Sequence, residues 1–114
     1  MYLPYLAITL NDMGNLDRFQ NRTDDACRHY EDALKSFRLL AQQNPDVYLP
    51  SVAQTLNVLG MLDGTQNRIE ESRAHYQEAL SLFRNLVQSD NKYAGDIAKV
   101  EASLEELDER APSK

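Results

Sequence analysis

Two carboxylates, two imidazoles and two carboxamides recur in this 114-residue chain at a fixed interval of 46 positions: Asp17 and Asp63, His29 and His75, Asn11 and Asn57. Paired carboxylates could do acid–base work if their surroundings shifted one of them. Asp17 falls on the same helical side as Leu6, Leu10 and Met13, and Asp63 repeats it. A carboxylate on a core-facing side must be paired or wet. An ion pair near the helix end, with Arg22 and Arg68 as partners, meets that need. It is favoured over catalysis because no second catalytic group recurs nearby. His29 and His75 could stack within metal-binding reach, but no cysteine or third histidine joins them, and metal sites usually take three or four ligands. A boundary histidine holding a structural hydrogen bond is the simpler reading. Cys27 lacks an activating arrangement and reads as a small core-edge residue. No phosphate loop, nucleophile elbow or zinc spacing is present. Neither an enzyme nor a cofactor or metal is expected.

The elements that must position these residues follow from the same repetition. Tyr2-Leu3-Pro4 recurs as Tyr48-Leu49-Pro50, Gln20-Asn21-Arg22 as Gln66-Asn67-Arg68, and Phe37-Arg38 as Phe83-Arg84. A long fixed period marks stacked units that bury their apolar faces on one another. Leu3, Leu6, Ala7, Leu10, Met13 and Gly14 follow helical spacing, which predicts a helix from Leu3 to Gln20. Asn21 is the expected stop, since asparagine tolerates a left-handed backbone. Asp24 and Asp25 favour a new helix start, and Asn44-Pro45-Asp46 breaks that second helix. The second unit copies the plan, with helices from about Leu49 to Thr65 and from about Ile69 to Ser89. After Asp90-Asn91 a last amphipathic helix carries Ile97, Val100, Leu104 and Leu107 on one side and Glu101, Glu105, Glu106 and Glu109 on the other. Glu105 replaces the glycine of the earlier units, so this helix reads as a solvating cap.

The bulk figures bound the function. A net charge of −6 without a basic cluster argues against nucleic acid. No apolar run is long enough to span a membrane, and the N-terminal residues lack the pattern of a signal peptide. The single cysteine fits a reducing compartment, and a cytoplasmic location is expected.

Gly14, Ala26, Tyr30 and Ala33 are separated by twelve, four and three residues, and Gly60, Ser72, Tyr76 and Ala79 repeat this. The pattern resembles the tetratricopeptide repeat, and its long period is similar to the repeats of kinesin light chain. The resemblance covers residues 2 to about 108. It implies an all-α, right-handed solenoid of two antiparallel helix pairs plus a C-terminal capping helix, organised as repeat 1 (1–47), repeat 2 (48–92) and a cap with tail (93–114). The chain departs from the family at Asp17 and Asp63, where an aromatic is usual, and at Asn21 and Asn67, where glycine is usual.

The resemblance also implies a function: binding an extended peptide or partner protein in a concave groove. Ile8, Asn11, Asn15 and Arg18 fall together on one face of the first helix, and Gln54, Asn57 and Met61 on that of the third. These seven are the candidate partner-binding residues. A carboxamide offers both donor and acceptor to a peptide backbone. Asn11 and Asn57 stand where chaperone-binding relatives carry lysine, so chaperone C-termini are poor candidates. The alternative is a self-assembly unit, a homodimer through the N-terminal edge, because Thr9, Leu16 and Phe19 lie away from the face that packs within the first repeat.

Overall fold

Proline costs a helix little in its first turn, where the missing N–H would have no partner, and two helices begin that way. Helix α1, Leu3–Phe19, has Pro4 in its first turn. Helix α3, Pro45–Thr65, opens on Pro45. Between them runs α2, Thr23–Gln43. Helix α4, Ile69–Val87, a 3₁₀ turn at Asn91–Tyr93 and helix α5, Ala94–Arg110, follow. The computed structural model describes residues 2–88 and 90–110. Over these residues the protein is all-α, with five helices packed in sequence as antiparallel pairs.

The start of α3 corrects the expectation of a helix from about Leu49. Its first turn is built on Asn44, whose carbonyl accepts from the N–H groups of Val47 and Tyr48 at 3.3 and 3.2 Å. Pro50 lies inside the helix. It removes one backbone donor close to the helix start, and the helix continues through it. The division between residues 47 and 48 therefore falls within a helix. The expected end of the fourth helix at Ser89, and the tail 111–114, lie outside the described residues.

Both tight turns between paired helices rest on asparagine. Asn21 has φ 60° and Asn67 φ 61°, and they are the non-glycine residues with positive φ among those described. Asparagine adopts this left-handed conformation at lower cost than most residues. The turn lets the Arg22 N–H donate to the Asp17 carbonyl at 2.7 Å and the Arg68 N–H to the Asp63 carbonyl at 2.8 Å, satisfying a carbonyl at the helix end.

By contact the chain divides into two units, one up to Thr55 and one from Leu56. In the first, α1 packs against α2, with Ala7, Ala26, Tyr30 and Ala33 fully buried. The Tyr30 ring lies on Gly14, where an added Cβ would come within 2.8 Å of it. In the second unit Gly60 and Tyr76 make the same contact, again at 2.8 Å. Neither glycine has positive φ, so close approach, and not backbone freedom, is what requires it. The second unit adds a tie the first lacks: Ser72 Oγ donates to the Gly60 carbonyl at 2.7 Å, where the first unit has Ala26.

Helix α5 packs against α4. Val100 and Leu107 are buried there, and the Tyr93 ring stands 5.9 Å from that of Phe83. Ile97 and Leu104, expected among the covering contacts, are half-buried. Arg84 pairs with Glu101 at 3.0 Å and Arg73 with Asp108 at 2.9 Å.

Candidate partner-binding surface

The spacing of three, four and three residues puts Ile8, Asn11, Asn15 and Arg18 on one side of α1. The structure leaves Ile8, Asn15 and Arg18 exposed and Asn11 half-buried. On α3, Gln54 and Met61 are exposed and Asn57 is half-buried. Each asparagine thus sits at the same depth on its own helix. Among the described residues, no hydrogen bond within the chain engages the carboxamide of Asn11 or Asn57.

Asn15 is different. The Tyr30 hydroxyl donates to its Oδ1, so this carboxamide also serves the helix pair. Burial pushes the Tyr30 hydroxyl pKa up, and a hydrogen bond and charge from Arg18 pull it the other way. Asn15, Arg18 and Phe19 line an open recess of about 300 Å³. Phe19 was not among the expected binding residues, yet it is 87% exposed.

In the second unit Met61 lines a recess of about 350 Å³ together with Tyr76, Ser103, Glu106 and Arg110. Here Gly64 occupies the position that Arg18 holds in α1. Arg110 reaches in from α5, and its Nη2 donates to the Gly64 carbonyl at 3.0 Å. Burial raises the Tyr76 hydroxyl pKa, opposed by a hydrogen bond from Ser103. Ser103, Glu106 and Arg110 were missed by the sequence reading. The one signal available was the arginine-to-glycine change at position 64, which opens room that another side chain can enter.

The two aspartates are buried, and their partners correct the expectation of Arg22 and Arg68. His29 Nδ1 lies 2.5 Å from Asp17 Oδ2, and His75 Nδ1 lies 2.5 Å from Asp63 Oδ2. Each pair joins the end of one helix to the next helix beside the asparagine turn. The histidines hold structural hydrogen bonds, as expected, and the carboxylates they hold are those very aspartates. No cluster of three or more metal-ligating side chains exists among the described residues. Among the described residues, no helix is long and apolar enough to cross a membrane.

What the arrangement offers chemically is recognition: carboxamides, an arginine and apolar side chains set on stiff helices. A family model described as Tetratricopeptide repeat matches residues 5–85. No curated protein matches the chain.

Proposed function

This chain belongs to the tetratricopeptide repeat family, whose members are generally protein–protein interaction modules and typically non-catalytic, and from that premise we propose that it binds an extended peptide segment of a partner protein. The binding face comprises Ile8, Asn11, Asn15 and Arg18 on α1 with Gln54, Asn57 and Met61 on α3. Residues 1–47 and 48–92 act as two repeats and 93–114 as their cap. The subtype is the long-period one, like that of kinesin light chain, on the strength of the 46-residue interval and the Asn44-Pro45-Asp46 segment. The protein works in the cytoplasm.

One observation carries this reading. Asn11 and Asn57 stand at equivalent positions, half-buried, with no hydrogen bond to either carboxamide among the described residues. No buried side-chain nitrogen or oxygen lacks a partner among the described residues, so these carboxamides face solvent, and an extended peptide backbone supplies both the donor and the acceptor that would replace their water. Arg18 biases the choice toward acidic or neutral segments.

The test is a peptide-library selection followed by titration. The selected peptide should bind with micromolar affinity or weaker, because the surface is small. Replacing Asn11 and Asn57 together by alanine should weaken binding by the loss of two hydrogen bonds worth ~0.5–1.5 kcal/mol each, with the melting temperature unchanged. Unchanged binding combined with a much lower melting temperature would assign both asparagines to the fold and remove the support for the groove.

A further inference from the structure

Helix α1 carries a second seam, on a different side from Asn11 and Arg18. Tyr2, Tyr5, Thr9, Asp12, Leu16 and Phe19 follow one another at intervals of three, four, three, four and three, the alternation by which one helix packs lengthwise on another. All six are exposed. Tyr2 and Tyr5 are already in contact with each other, their rings 5.1 Å apart and edge-on. The equivalent seam of α3 is partly covered: Thr55, at the place of Thr9, and Leu62, at the place of Leu16, are buried, Tyr48, Ser51 and Val58 are half-buried, and Thr65 is exposed.

We propose that the α1 seam is a homodimer interface, in which α1 of one protomer lies antiparallel against α1 of a second copy. The seam is self-complementary in that register. Read in opposite directions, Tyr2 meets Phe19, Tyr5 meets Leu16 and Thr9 meets Asp12. Aromatic and aliphatic side chains therefore meet each other, and the one carboxylate meets a hydroxyl that can donate to it. An isologous contact requires this reciprocity, since each residue of a pair is used on both sides.

Size and charge point the same way. Tyr2, Tyr5 and Phe19 are 64%, 68% and 87% exposed. With ~150–250 Å² for each fully exposed ring, they alone leave on the order of 400 Å² uncovered. Leu16, 56% exposed, adds to this, and the sum suits a small interface, below the ~800 Å² that each partner contributes to a standard one. Helix α5 is a poor mate. The outer side of α5 presents Glu105 and Glu109, both exposed. Head-to-tail stacking would bury those carboxylates against tyrosine rings, at a high desolvation cost.

Analytical ultracentrifugation of the full chain over a concentration series tests the proposal. The expected result is a reversible shift from 13.0 kDa to twice that mass. The shift should move to lower concentration as salt rises, because each copy carries a net charge of −6 and screening relieves their repulsion. Leu16→Glu should weaken dimerisation at least tenfold with unchanged circular dichroism. Phe19→Ser serves as the second variant if that one fails to fold. The register is read separately by mixing Thr9→Cys and Asp12→Cys, each in a Cys27→Ser background, and oxidising them: the mixed 9–12 disulfide should exceed either symmetric one. A monomer at every concentration, growth beyond the dimer, or a dimer indifferent to Leu16→Glu and Phe19→Ser would overturn the interface. A preference for 12–12 disulfides would overturn the register.

Discussion

In the first unit the hydroxyl of Tyr30 turns back to Asn15 on the preceding helix, with Arg18 beside it. In the second, Tyr76 meets Ser103 of the helix that follows, with Arg110 nearby. The ring positions are the same, on Gly14 and Gly60 at the same 2.8 Å. The aspartate–histidine pairs are the same, at 2.5 Å. What changes is the surroundings. Leu16 is 56% exposed and its counterpart Leu62 is 7%; Met13 is 42% exposed and its counterpart Leu59 is fully buried. The helix pair is thus a constant joint, fixed by small residues, a tyrosine and a turn. The faces outside that joint take their character from what covers them. A repeat can therefore keep its internal packing while its outer sides diverge, which is what an interaction module requires.

The largest expected effect comes from removing the helix that separates the two cases. Ending the chain after Lys92 takes Tyr93, Val100 and Leu107 out of the second unit, all of them buried. At roughly 1.5–3 kcal/mol for each large buried side chain, the loss is comparable with the whole stability of a small domain, ~5–15 kcal/mol. The truncated chain should keep its far-ultraviolet helical signal but lose near-ultraviolet dichroism and a cooperative melt, or else aggregate. A sharp melt at the parent temperature would mean that the second unit, like the first, needs no α5.

The joint itself offers the next test. Gly14→Leu and Gly60→Leu each force a side chain into a tyrosine ring that a bare Cβ would already crowd. Each should cost ~1–3 kcal/mol or more in urea unfolding. Equal losses at both sites would support one shared joint. A negligible loss at either would show that ring to be free to move aside, and the likeness of the two units would fail there.

The sequence made the joint readable because its demands are local or strictly periodic. Gly14 and Gly60 are compact positions in otherwise apolar stripes, and Asn21 and Asn67 sit where the periodicity stops. The partner of Asp17 was misread for an instructive reason. Charge favoured nearby Arg22, but the antiparallel pairing folds α2 back along α1 about the Asn21 turn and brings His29 to Asp17. Gly60 and Ser72 meet that way in the second unit. The start of α3 lies earlier than about Leu49 because the segment that breaks α2, Asn44-Pro45-Asp46, also opens the next helix, with Pro45 in its first turn. The recess around Met61 was not legible, since Arg110 and Ser103 lie on α5, which departs from the repeat. The engagement of Asn15 depends on where a tyrosine hydroxyl ends once its ring has been set on glycine, which periodicity does not specify.

The smallest effect expected under ordinary conditions separates the two tyrosines. Burial raises both hydroxyl pKa values above the ordinary 10.0. Each folded site therefore holds its proton more tightly than the unfolded chain does. Stability from this source is fully present below about pH 10 and is lost as pH rises from there through the folded-state value, because the unfolded state releases its proton first. Urea midpoints measured below and above about pH 10 should show a decline in the parent chain. Tyr30→Phe and Tyr76→Phe should each remove part of it, since the ring stays on its glycine while the titrating group is gone. The differences between the variants and the parent carry the information. Below that range the comparison turns on hydrogen bonds. Tyr30→Phe abolishes the bond to Asn15, at ~0.5–1.5 kcal/mol, and frees that carboxamide on the proposed binding face. Tyr76→Phe takes a partner from Ser103 and leaves the α1 face untouched. If peptide affinity responds to Tyr30→Phe and not to Tyr76→Phe, the first unit's tyrosine positions a binding residue as well as packing the helices. If neither variant changes affinity and the alkaline decline is the same in both as in the parent, the two hydroxyls are equivalent bystanders, and the contrast between the units reduces to the cover provided by α5.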